Sequence, residues 1–214
     1  MPPIAFANML KLSQTISIVL FVMLFPFLSA YLVELGFASL ELLGFAALTV
    51  WRGLKTPNPW LRFGSLVLAA LLLAAAFFAN AYFIWLVPSF AYLWLTALFG
   101  HTLWSPPSLC ERLVRLLYPD FLPGVAEYLR EVTWAWTLFF AVNIVICAAL
   151  PAVAGQTAWA VYTGGVVYLL MVLLAIGEWF YRHRRFPDMP IPPAKETLKY
   201  LVQHGHEAFK DVWS

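Results

Sequence analysis

Charge is scarce in this chain. Asp, Glu, Lys and Arg make up 11% of its 214 residues, against about 25% in an ordinary soluble domain. Hydrophobic residues make up 63%, more than a water-soluble fold of this size can bury, which points to a bilayer as the solvent. Cysteine is equally sparse. Cys110 and Cys147 are the only two, one beside charged residues and one inside an apolar run, so no disulfide is expected between them and a disulfide scaffold is excluded. Histidines, cysteines and acids do not recur at ligand spacing, and His204-Gly205-His206 reads as a solvated pair. No metal or cofactor is expected. The chain has no P-loop, no glycine-rich dinucleotide fingerprint, no Ser/His/Asp arrangement and no aspartate-rich motif. The formal charge of +2 is too small to argue for nucleic acid.

Long apolar runs are what the chain does have. A spanning helix needs about 20 mostly apolar residues, and six segments approach that. They are 14–34; 36–51, which contains Glu41; two within 62–100, broken near Asn80; 132–151; and 157–181. The first run is longer than the roughly 7–15 residues of a signal-peptide core, so it is expected to stay as a span. Nothing alternates like a barrel strand, and only helices satisfy their own backbone in lipid. The expected fold is therefore all-α: a polytopic transmembrane bundle of about six spans. Pro26 is expected to kink the first span. Pro88 is expected to start the fourth helix, leaving 81–87 as a connection.

The distribution of basic residues supports that count. With a cytoplasmic N-terminus, the inner segments are 1–13, 52–61 with Arg62 at the edge, 101–131 and 182–214. All 13 Lys and Arg residues fall there, and the outer loops near 34–36, 80–82 and 151–157 hold none. Lys/Arg bias in short loops sets orientation, so both termini are expected inside. The domain reading is a membrane domain over 1–181 and a cytoplasmic tail over 182–214.

The inner loop 101–131 collects much of the charge. Ser108 and Glu111 fit a capping box opening an interfacial helix over 108–117. Leu109, Leu113, Leu116 and Leu117 lie on the side expected to face the membrane, with Glu111, Arg112 and Arg115 opposite. Pro123 is placed to open the next helix, which then enters lipid through Trp134 and Trp136. Arg112, Arg115 and Arg130 have two readings. In the plainer one they anchor the fold, pairing with Glu111, Glu127 or lipid headgroups. In the sharper one they form, with His101, a pocket for an anionic head such as an acyl carboxylate or a phosphopantetheine phosphate.

Ionisable or amide groups inside apolar runs carry a functional hypothesis by default. Glu41 has no Lys or Arg at its depth. Asn143 is expected to bond to a neighbouring helix. Glu178 and Arg182 are spaced as a helical ion pair, and Gly164, Gly165 and Gly177 allow close helix contact. The tail begins with a proline-rich linker. Leu198, Leu201, Val202, Phe209, Val212 and Trp213 then recur at helical spacing beside Lys195, Lys199 and Lys210, predicting a second surface helix.

The segments FGHTL (99–103), SLCERLVR (108–115), YLREVTWAWTLFFAVN (128–143) and GEWFYRHRRFP (177–187) together carry a resemblance. The chain resembles a family of bacterial inner-membrane proteins encoded beside fatty-acid-synthase-like and aryl-polyene (xanthomonadin-type) pigment genes. The resemblance implies a link to acyl-chain or polyene lipid assembly and supplies no catalytic residues. The expectation is a non-catalytic accessory or scaffold in the bacterial inner membrane. Its partners would be membrane lipids and cytosolic enzymes such as acyl carrier protein or ketosynthases. The alternatives are an integral-membrane acyl-modifying enzyme using His101 and the three arginines, and a small lipid or solute transporter using Glu41 and Asn143.

Overall fold

The structure, a computed structural model, describes residues 3–57, 59–78, 82–116, 118 and 122–187. Every regular element among them is helical: α1 Pro3–Glu34, α2 Ala38–Lys55, α3 Pro59–Phe77, α4 Tyr82–Trp85, α5 Val87–Trp104, α6 Leu109–Arg115, α7 Val125–Val161, a π-turn Tyr162–Val166, and α8 Val167–Arg185. Two stretches, Tyr82–Trp104 and Val125–Arg185, are long and apolar enough to cross a membrane by length and composition. Asn80, His204, His206 and the tail helix expected around Lys195, Lys199 and Lys210 lie outside the described residues.

Local chemistry sets the ends of these helices. Gly36 sits at φ +83 after α1, and the Phe37 amide donates to Leu32 O at 2.9 Å while the Gly36 amide donates to Val33 O at 3.0 Å. This 6→1 and 5→2 pattern closes the last turn and requires the left-handed conformation that glycine adopts without strain. Pro26 is buried inside α1, which continues past it to Glu34. Leu86 separates α4 from α5 and puts Pro88 in the first turn of α5, where a missing N–H breaks no helical bond. Pro123 does not open α7 as expected: the turn continues through Gly124 at φ +82, and the helix starts at Val125.

Gly155 breaks α7 with φ 83 and ψ 173. Residues 128–136 before the break face residues 173–186 after it, through contacts such as Tyr128 to Glu178 and Glu131 to Arg185. The chain therefore reverses direction, and what reads as one 61-residue apolar helix is a helical hairpin.

The chain forms two compact units. The first comprises Met1–Pro88 and Cys147–Leu170. Within it α2 and α3 pack through small residues: Ala38, Leu42 and Ala46 meet Leu72, Ala75 and Ala76, and a Cβ at Gly53 would come within 2.8 Å of Ser65 Cβ. Small side chains let helix backbones approach closely where lipid gives no hydrophobic drive. Trp159 Nε1 donates to Trp85 O at 3.1 Å, and Tyr82 Oη donates to Ala148 O at 2.8 Å, tying the 147–170 segment to α4. The second unit comprises Ser89–Ile146 and Met171–Ser214. Tyr92, Phe99 and Trp136 gather around Phe140 there.

Large apolar side chains lie on the outside as well as in the core. Ser29, Thr102, Thr133, Asn143 and Thr163 are buried, whereas Phe77 is 85% exposed, Val153 83% and Trp104 73%. Thr133, Thr137 and Thr163 each donate to the carbonyl four residues back, which satisfies the hydroxyl without water.

Candidate functional site

The stretch from the end of α5 to the start of α7 is built around α6. Seven residues are too few for a stable isolated helix, and the expected cap does not form: Ser108 is at the N-cap with extended backbone, but its buried Oγ makes no hydrogen bond. Two threonines from other helices replace it. Thr102 Oγ1 accepts from the Leu109 amide at 2.9 Å, and Thr133 Oγ1 accepts from the Cys110 amide at 3.3 Å. The apolar side of α6 also departs from the interfacial expectation for 108–117. Leu109 and Leu113 pack with Leu98 and Phe99, while Cys110 and Val114 pack against Val125, Tyr128 and Leu129. Protein covers that face because α5 and α7 bring their own buried residues to it. Thr102→Val and Thr133→Val each leave a helix-end amide without its acceptor, so each is expected to cost about 1 kcal/mol and the pair about 2 kcal/mol. Thermal unfolding of the two single variants and the double variant in detergent checks this, and a double variant as stable as the parent would show that α6 is not held this way.

The candidate residues of the 101–131 stretch serve this scaffold at separate points. Arg112 Nε donates to Pro107 O at 2.8 Å. Arg130 Nη2 donates to Leu103 O at 3.2 Å, at the carbonyl end of α5, where a cation meets the negative end of the helix dipole. Arg115 pairs with Glu111 at 2.8 Å, half-exposed. His101 lies half-buried in the last turn of α5. Burial pushes the Cys110 thiol up to about 11, against a smaller opposing effect of the Thr133 hydroxyl; at neutral pH it is a neutral thiol and a poor nucleophile. Cys110 and Cys147 are both free.

A groove of about 420 Å³ opens elsewhere in the second unit, between α7 and α8. None of the three arginines lines it. Its floor is apolar, made by Val132, Ala135, Trp136, Leu173 and Leu174, and Gly177 leaves its wall open, with nothing within 4 Å of where a Cβ would stand. One end is polar. Tyr128 Oη donates to Glu178 Oε1 at 2.9 Å, and Arg182 Nε lies 3.3 Å from the same oxygen, close enough for an ion pair but not aligned as a hydrogen bond. Burial first, then the Glu178 carboxylate, raises the Tyr128 phenol above the ordinary tyrosine range, so it stays a donor. Beside it Arg185 Nη1 donates to Glu131 Oε2 at 2.9 Å, and its guanidinium lies 5.6 Å from the Tyr128 ring, 6.0 Å from Tyr181 and 5.7 Å from Phe186. Aromatic faces hold a cation in place by their quadrupoles. Arg182 and Arg185 thus sit at the polar end of an apolar trough.

The sequence shows the Glu178–Arg182 spacing, and the ion pair is present, but Tyr128 and Glu131 carry no local signal. Their partners are 50 and 54 residues away and meet them only because Gly155 reverses the chain. Of the intramembrane candidates, Asn143 is buried and donates from Nδ2 to Phe139 O, one turn back in its own helix, at 2.8 Å. Glu41 lies in the first turn of α2. Both of its carboxylate oxygens are shielded from solvent and without a hydrogen bond. Ser29, fully buried, is the side chain that acts on it, although its Oγ has no hydrogen-bond partner within 3.5 Å.

Comparison of the chain with protein-family models, with curated proteins and with solved structures finds no match.

Proposed function

We propose that this chain is a multi-pass protein of the bacterial inner membrane, with six spans and both termini in the cytoplasm. Its proposed role is to hold the hydrocarbon chain of an anionic amphiphile in the α7/α8 groove, as a non-catalytic accessory of membrane-associated acyl-chain or aryl-polyene assembly. Membrane placement is supported by the exposed phenylalanines and leucines over a core containing Ser, Thr and Asn, the reverse of a water-soluble protein. Each arm of the hairpin broken at Gly155 has about 30 residues, or about 45 Å of helix at 1.5 Å per residue, enough for one crossing of a hydrocarbon core about 30 Å thick. The placement of all 13 basic residues supports the orientation. Acyl carrier protein and ketosynthase-type enzymes are the proposed soluble partners at the 101–131 surface, through Arg112, Arg115 and Arg130.

The groove carries this reading. Its volume falls within the roughly 300–1,000 Å³ of ligand sites, its floor is apolar, and Arg182 and Arg185 lie at one end beside Glu178 and Glu131. Gly177→Phe tests it, because a side chain there enters open space and fills the trough without disturbing packing. Native mass spectrometry of the purified protein is expected to show a retained amphiphile in the parent and at least a tenfold loss in the variant, about 1.4 kcal/mol. Equal retention in a folded variant would remove the groove from the account.

A further inference from the structure

We propose that Glu41 and Ser29 form a proton-binding site at the start of α2 in the first unit, with Glu41 carrying the proton as a neutral carboxylic acid. The site is independent of the groove, which lies in the second unit. Three oxygens lie there, two from the Glu41 carboxyl and one from Ser29; all three are shut off from solvent and none has a hydrogen-bond partner within 3.5 Å, and the Ser29 hydroxyl is the polar side chain that acts on the carboxyl. A carboxylate so placed lacks water and has one neutral hydroxyl beside it. Taking an unpaired carboxylate out of water costs several kcal/mol or more. The opposing influence is the N-terminus of α2, whose dipole favours a negative charge by about 0.3–1 kcal/mol, up to about 2 kcal/mol in partly buried geometry, and this is the smaller effect. Among the described residues no cationic side chain offsets the difference. The other ionisable residues of α2 are Arg52 and Lys55 in its last turn. α1 presents Tyr31 and Glu34, both exposed, in this region. α3 has only Arg62, near its start, and α4 only Tyr82, whose hydroxyl is bonded to Ala148 O.

A proton fits where a metal cation does not. Hard cations take about six or more oxygen ligands, and the two side chains offer three. Binding a proton forms one O–H bond on the carboxylate, and the Ser29 oxygen is the acceptor nearest to hand. The result is a titratable group inside an apolar layer, the element required by any step that carries a proton into a membrane interior.

Carbodiimides of different solubility test this on the full-length protein in vesicles of phosphatidylethanolamine and phosphatidylglycerol. Dicyclohexylcarbodiimide dissolves in the bilayer and adds to the O–H of a protonated carboxyl. Peptide mapping is expected to place its adduct on Glu41, with loss of that adduct in Glu41→Gln. A water-soluble carbodiimide is expected to modify the exposed Glu34, Glu127 and Glu131 and to spare Glu41. Mapping on the parent protein keeps the test valid even if Glu41→Gln does not fold. The proposal is overturned by an unmodified Glu41 in folded protein treated with the membrane-soluble reagent. Modification of Glu41 by the water-soluble reagent would overturn it too. So would protection by Na⁺ at fixed pH, which would assign the three oxygens to a metal cation.

Discussion

Gly164→Leu is expected to destabilise the first unit more than Gly164→Ala, and Gly164→Ala to destabilise it where Gly165→Ala does not. The π-turn presents Gly164 to α1. A Cβ at that position would lie 2.8 Å from Met23 O and overlap the Phe27 ring, whereas one at Gly165 would meet nothing within 4 Å. The ring can rotate away, but the carbonyl belongs to the α1 backbone and cannot move without shifting the helix. Overpacking of this kind costs about 1–3 kcal/mol, so Gly164→Ala is expected near the lower end of that range and Gly164→Leu at or above its top. Gly165→Ala is expected to be neutral or to gain up to about 1 kcal/mol from helix propensity. Thermal midpoints of the three variants in one detergent give the order. Gly164→Ala at or above the parent midpoint would mean that α1 does not pack on the π-turn as described.

Glu178→Leu is expected to lower stability by about 1–3 kcal/mol, and Glu178→Gln by less. Leucine leaves the Tyr128 hydroxyl without its 2.9 Å acceptor and Arg182 without its carboxylate. Both side chains of the ion pair are only 19% exposed, so water replaces the lost partner incompletely. Glutamine keeps an oxygen for Tyr128 and gives up only the charge. Tyr128→Phe made together with Glu178→Leu removes donor and acceptor at once and is expected to recover part of the loss. A double-mutant cycle of unfolding free energies measures that coupling. Strict additivity would show that the two side chains do not act on each other.

Helical class was legible in the sequence because it follows from local chemistry. Apolar run length marks α1, α5 and both arms of the hairpin, and Pro88 marks the start of α5. The α6 cap was misread for an equally local reason. Ser108 and Glu111 have capping-box spacing, yet the acceptors that serve α6 are Thr102 and Thr133, and a motif scan has no way to select hydroxyls from neighbouring helices. The site divides the same way. Arg112, Arg115, Arg130 and His101 stand out because charge is rare around them, but rarity does not say whether a guanidinium turns to a ligand or to a carbonyl. Arg112 and Arg130 each turn one donor to a main-chain oxygen. The groove residues Trp136, Leu173, Leu174 and Gly177 look like any other span residues, and only the reversal at Gly155 makes them neighbours.

The borrowed cap of α6 has a consequence for biosynthesis. One of its acceptors lies 23 residues downstream of the amide it serves. At about 5–20 residues per second, translation delivers that threonine roughly 1–5 s after Cys110 is polymerised. The segment between α5 and α7 therefore emerges with the Thr102 hydroxyl to hand and gains the Thr133 hydroxyl only when the start of α7 follows it.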